Sequence, residues 1–143
     1  MNEESPANCT CFNLRKAARA VTQMYDEALQ PSGLRATQFS LLSVVENNGP
    51  IGITQLARTL VTDRTTLTRN LKPLLSQELV QVVDDADRRL RPIAVTSRGR
   101  DRLAQALPLW REVQSRLAKG FGHARWTGLL GDLEEAVHLT RGA

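Results

Sequence analysis

The chain has 143 residues, one domain's worth, with 24% charged and 41% hydrophobic residues, which excludes a disordered or fibrous chain. The net charge of +4 favours a polyanionic partner. Its longest apolar run is far short of the ~20 residues that span a bilayer. The polar, acidic opening MNEESPANCT is also unlike a signal peptide, so no membrane partner and a cytoplasmic location are expected, with Cys9 and Cys11 as reduced thiols.

In chain order, residues 1–8 read as a disordered tail. Residues 9–30 read as a helix with a stripe of Leu14, Ala17, Ala18, Val21, Tyr25, Ala28 and Leu29, capped by Asn8 or Thr10 and ended by Pro31-Ser32-Gly33. A second helix covers 36–47, with Phe39, Leu41, Leu42 and Val45 inward, and stops at Asn47-Asn48-Gly49-Pro50. Residues 51–53 suit a short strand. A brief helical pattern follows at 54–60, then a polar break at Thr62-Asp63, then a longer helix with Leu67, Leu71, Leu74 and Leu75 on one side. Two β-like runs, 80–83 and 90–95, flank the charged tip Asp84-Asp85-Ala86-Asp87-Arg88-Arg89. Thr96 caps a long helix over 97–119 that Pro108 should bend, Gly120-Phe121-Gly122 interrupts, and a last helix runs over about 124–140.

Two short helices followed by a hairpin is the order of a winged helix-turn-helix. The expected fold is therefore mostly α with a small β-wing: a DNA-binding unit over 36–96, flanked by helical dimerisation segments at 9–35 and 97–143. The end helices are amphipathic and have no sheet to cover them, and packing against a two-fold copy would bury them.

The helix after Asp63 carries the functional signal. Asp63 is a good N-cap. With the leucines inward, Thr65, Arg69 and Lys72 occupy the opposite face, Thr66 and Thr68 its borders, and Arg64 the first turn. No acid occurs from Arg64 to Gln77, whereas a merely solvated face normally mixes acids with bases. Arginine binds guanine in two places and threonine offers a hydroxyl or methyl to base edges, so this face suits a major groove. Arg88, Arg89 and Arg91 at the hairpin tip suit a minor groove, with Asp87 as a buttress fixing one guanidinium. A charged turn between solvated strands is the plainer reading of that tip taken alone. Pro73 should kink or tighten the helix beyond its groove-reading turns.

The order Leu56-Ala57, Asp63-Arg64-Thr65-Thr66-Leu67-Thr68-Arg69, Asp87-Arg88-Arg89, Val95-Thr96 and Gly99 resembles the MarR family of bacterial transcription regulators over nearly the whole chain. The resemblance implies a homodimer that binds a palindromic operator in double-stranded DNA, as a repressor, and is released by a small ligand or by cysteine oxidation.

Cys9 and Cys11 open the first helix. A helix N-terminus and Arg15, one turn beyond Cys11, both favour a thiolate. The string Cys11-Phe12-Asn13-Leu14 is similar to the sensor segment of the organic-hydroperoxide-sensing branch of that family. The similarity implies a sensor role for Cys11 with Tyr25 as a thiolate partner, while Arg15 stands where that branch has a second tyrosine. Cys11 would pass to a sulfenic acid, resolved by Cys9 or another thiol. The rival effector is a small aromatic or phenolic molecule, its pocket walled by Arg15, Tyr25 and Trp110, with Arg15 or Arg19 meeting a carboxylate. As plainer readings, two such cysteines are inert side chains and Trp110 is core.

No catalytic constellation, cofactor loop or metal-ligand spacing is present in the sequence, so neither an enzyme nor a cofactor is expected. His123 and His138 stand alone. The alternative to a DNA-binding regulator is a winged helix used to dock another protein.

Overall fold

The computed structural model describes residues 2–84 and 90–141. The described residues form six helices and a two-stranded antiparallel sheet in the order α1 (Thr10–Leu29), α2 (Ala36–Asn48), α3 (Ile53–Thr59), α4 (Arg64–Ser76), β1 (Val80–Val82), β2 (Ile93–Val95), α5 (Ser97–Phe121) and α6 (His123–Arg141). This is a winged helix-turn-helix between end helices, the fold class read from the sequence.

Several local signals act as the sequence indicates. Leu29, Leu42, Leu56, Leu67, Leu74, Leu79 and Ile93 meet in one core and are almost wholly buried. The strands pair Val80 with Val95, Gln81 with Ala94 and Val82 with Ile93. Ile51 supplies the third strand only as a single bridge to Ile93, because Gly52 is already the N-cap of α3 and Ile53 its first residue.

The junction from wing to α5 is tightly made. The Thr96 hydroxyl donates to the Glu78 carbonyl at 2.6 Å and accepts from the Gly99 amide at 3.0 Å, while the Thr96 amide donates to the Leu79 carbonyl. A Cβ on Gly99 would lie 2.1 Å from that same Leu79 oxygen, so only glycine lets α5 start this close to the strand.

Other expectations shift. Where a disordered tail is expected, Pro6–Asn8 forms a 3-10 turn, and Cys9, not Asn8 or Thr10, is the N-cap of α1. Leu75, assigned to the inward stripe of α4, is 37% exposed at the edge facing the wing. Both α4 and α5 run through their prolines, Pro73 and Pro108, as single helices. The carbonyl of Arg69, which loses its helical donor at Pro73, belongs to an exposed residue that water can reach.

Two contacts bind the end helices to the winged unit of 36–96, and a third, from Tyr25, binds the end helices to each other. The Asp26 carboxylate of α1 accepts from the Ala36 amide at the start of α2, at 2.7 Å. The Tyr25 hydroxyl is paired with the Gln114 side chain of α5. Phe39 stacks on Trp110, with ring centroids 5.8 Å apart. By contrast, α6 buries none of its side chains: Leu130, Leu133, Val137 and Leu139 stand exposed.

Candidate nucleic-acid interface

Helix α4 begins at Asp63, whose carboxylate accepts from the Thr66 amide at 2.7 Å and from the Thr66 hydroxyl at 2.8 Å. Those two bonds hold the Asp63 carboxyl below its ordinary value, the amide bond contributing most. Leu67, Leu71 and Leu74 fix the inner face. Thr65, Arg69 and Lys72 are exposed together on the outer face, as the spacing predicts, with Ser76 in line beyond them.

Thr66 and Thr68 are less free than their positions suggest. The Thr66 hydroxyl is committed to Asp63 and the Thr68 hydroxyl donates to the Arg64 carbonyl at 2.8 Å. Each keeps a methyl group and acceptor lone pairs for a base edge.

The two flanks of α4 face different neighbours. On one side Arg64 and Thr68 line a cleft of about 120 Å³ shared with Val82, Arg91 and Ile93 of the wing. Arg91 holds a left-handed backbone at φ 40, which turns the chain sharply before β2 and leaves its side chain in this cleft. On the other side Arg69, Asn70 and Pro73 meet the first turn of α2. Asp87, Arg88 and Arg89 lie outside the described residues.

Asn70, not among the residues that the sequence pattern singles out, is exposed on the α2 flank. Its signal was available: asparagine is the side chain that pairs bidentately with adenine, and it stands next to Arg69.

The cysteines are both exposed, Cys9 as the N-cap in extended backbone and Cys11 within the first turn of α1. Arg15 is exposed one turn further on. Tyr25 is not brought to them: fourteen helical residues separate it from Cys11, about 21 Å along the axis. It pairs instead with Gln114, and burial raises its hydroxyl above the ordinary value.

Nor do Arg15, Tyr25 and Trp110 form one ligand wall. Arg15 is exposed on α1, and Trp110 packs on Phe39. A half-open cavity of about 370 Å³ lies elsewhere, between α1, α2 and the α3–α4 turn, lined by Thr22, Thr37, Ser40, Val61, Thr62 and Asn70 among others, and by no charged side chain. At its rim Val61 is held at φ 54, a strained conformation for a β-branched residue.

Among the described residues no group of three or more His, Cys, Asp or Glu could hold a metal ion, and no helix is long and apolar enough to cross a membrane.

The model of the MarR family matches residues 34–90. The M. tuberculosis transcriptional regulator MosR, solved in complex with DNA, is 39% identical, with a TM-score of 0.78 over 94% of this chain and 99% of that one. A second structure of that regulator is 38% identical, with a TM-score of 0.72 over 90% of this chain and 97% of that one. The repressor CouR, solved with a 23-mer DNA duplex, is 24% identical and shares the fold, with a TM-score of 0.82 over 96% of this chain and 98% of that one. Among curated proteins none matches. Near-complete coverage by a regulator 39% identical, together with a family match over the reading unit, assigns the chain: it belongs to the MarR family of DNA-binding transcriptional regulators, and is not an enzyme.

Proposed function

We propose that the protein is a cytoplasmic homodimeric repressor that binds a palindromic operator and is released when Cys11 is oxidised. The observation that carries the DNA reading is the outer face of α4, where Thr65, Arg69 and Lys72 are exposed on a helix fixed by Asp63 and three buried leucines, with no acid along it. The exposed apolar side chains of α1 and α6, Phe12, Leu14, Val21, Leu130, Leu133 and Val137, supply a surface for a second copy. A two-fold dimer sets its reading helices one DNA turn apart, roughly 34–36 Å. Arg69 reads a base, Thr65 and Lys72 support it, Arg64 and Arg91 hold the wing side, and Arg88 and Arg89, buttressed by Asp87, enter the minor groove.

In the sensor step the Cys11 thiolate takes one oxygen atom from a peroxide, which leaves as water or an alcohol. The sulfenic acid then condenses with the Cys9 thiol, or another, releasing water and forming a disulfide. Cys9 lies outside α1, so only its first turn must unwind for the two sulfurs to meet. Arg15, one helical turn beyond Cys11, is the nearby cation. A second effector reading rests on the 370 Å³ cavity. Its uncharged, hydroxyl-rich lining suits a small phenolic or other neutral molecule better than the carboxylate that Arg15 or Arg19 would have met.

The test is anisotropy on DNA flanking its own gene. Affinity should fall steeply with salt, and Arg69→Ala should cost about 1–3 kcal/mol of discrimination against a scrambled duplex. Mild peroxide should release the parent protein but not Cys11→Ser. Equal release of both, or of neither, refutes the sensor role, and a salt-independent complex would point to a protein-docking module.

A further inference from the structure

A 12 Å major groove is bounded by two phosphate backbones, and an α-helix with its side chains is about 10–12 Å across, so a helix seated there meets a backbone on each flank. The wing attends to one flank of α4. The other flank carries a notch of about 100 Å³ lined by Arg35, Thr37 and Gln38 from the start of α2 and by Arg69, Asn70 and Pro73 of α4, with Leu41 as its floor. We infer that this notch seats one backbone phosphate, with Arg35 as its principal donor; the inference rests on the DNA-binding reading of α4.

Four observations carry it. The notch is lined by two guanidiniums, a hydroxyl and two carboxamides, and by no acid. The ion pairs among the described residues are Arg98–Glu78 and Arg100–Glu46, so no described carboxylate neutralises either Arg35 or Arg69. Two like charges gathered around one small space cost free energy unless an anion joins them. The space, about 100 Å³, is large enough to admit a single phosphate group. Lastly, the side chain of Arg35 is exposed and makes no capping hydrogen bond to α2, where the capping bond runs from its backbone amide to Gln38 Oε1 at 3.0 Å. The positive character is not that of the helix end alone, because Asp26 already takes the Ala36 amide from the α1 side and does not line the notch. Arg35 thus sets the helix in its groove without reading sequence, while Arg69 across the notch reads it.

The experiment uses the full chain with two probes, the DNA flanking its own gene and a scrambled duplex of equal length. Arg35→Ala should weaken both complexes by the same factor, about tenfold in dilute salt, and lower the slope of log affinity against log salt by about one, with an unchanged melting temperature. Arg35→Lys should restore most of the affinity. Parent-like affinity and slope in Arg35→Ala would overturn the inference while leaving the Arg69 discrimination, and so the DNA reading, intact. A loss confined to the promoter duplex would overturn it also, making Arg35 a base reader. Inorganic phosphate at matched ionic strength separates a free anion from DNA. If it raises the melting temperature of the parent but not of Arg35→Ala, and Arg35→Ala still binds DNA normally, the notch serves a soluble anion and the inference fails. A parent chain that binds neither duplex removes the DNA reading and this inference together.

Discussion

Helices α4 and α6 both carry leucines at helical spacing, yet they meet opposite fates within the chain. The inner residues of α4, Leu67, Leu71 and Leu74, are at most 2% exposed, while no side chain of α6 is buried and Leu139 is 75% exposed. The reading unit therefore carries its own core, shared with α2, α5 and the wing, and is fixed from inside the chain. The last helix has an apolar face that the chain itself does not cover. One region presents a surface of set shape, the other leaves apolar side chains uncovered for the proposed second copy, and changes in the two should fail differently.

Replacing Leu133 in α6 with Lys should produce the largest effect. It should leave the helical content intact and separate the proposed dimer, lowering affinity for the proposed two-half-site operator by about a hundredfold or more. Sedimentation together with anisotropy would check this, and a variant that remains dimeric and tight-binding would erase the contrast. Gly99→Ala should act on the other region, forcing α5 away from Leu79 and destabilising the folded unit by about 2–3 kcal/mol in denaturant melts, without changing subunit association in the folded protein. The smallest effect belongs to Asp63. Its folded carboxyl sits below its ordinary value of 3.8, so its stabilisation is fully present above that value and is lost as pH falls through the lower folded value. Asp63→Asn should flatten this acid-side loss in a circular-dichroism melt series, with little change near neutrality.

The comparison also explains what could be read in advance. The order of elements, the Thr96 cap, the Asp63 cap and the helix stops near Gly33 and Gly122 depend on neighbours a few residues apart, and those patterns are written in consecutive letters. The outer face of α4 was legible for the same reason, because helical periodicity alone assigns Thr65, Arg69 and Lys72. What escaped depends on distant partners. Leu75 looked like core until β1 and Arg91 took their places beside it. The bond from the Tyr25 hydroxyl to Gln114, 89 residues away, leaves no trace in local spacing. Arg35 showed no promise in the sequence because only the packing of α2 against α4 brings it next to Arg69. An arginine at the N-cap of a helix, where an acceptor is the usual choice, was the one local oddity that could have flagged it.

The bond from Asp26 to the Ala36 amide ties the two regions mechanically. Helix α1 is about 30 Å long, with the two thiols at one end and this bond near the other. If its first turn unravels and the rod swings, α2 must travel with it or surrender the bond, leaving an amide and a carboxylate to find water. On the proposed sensor reading, oxidation at the far tip would gain leverage over the pitch at which the protein grips its duplex, with no messenger molecule crossing the interior.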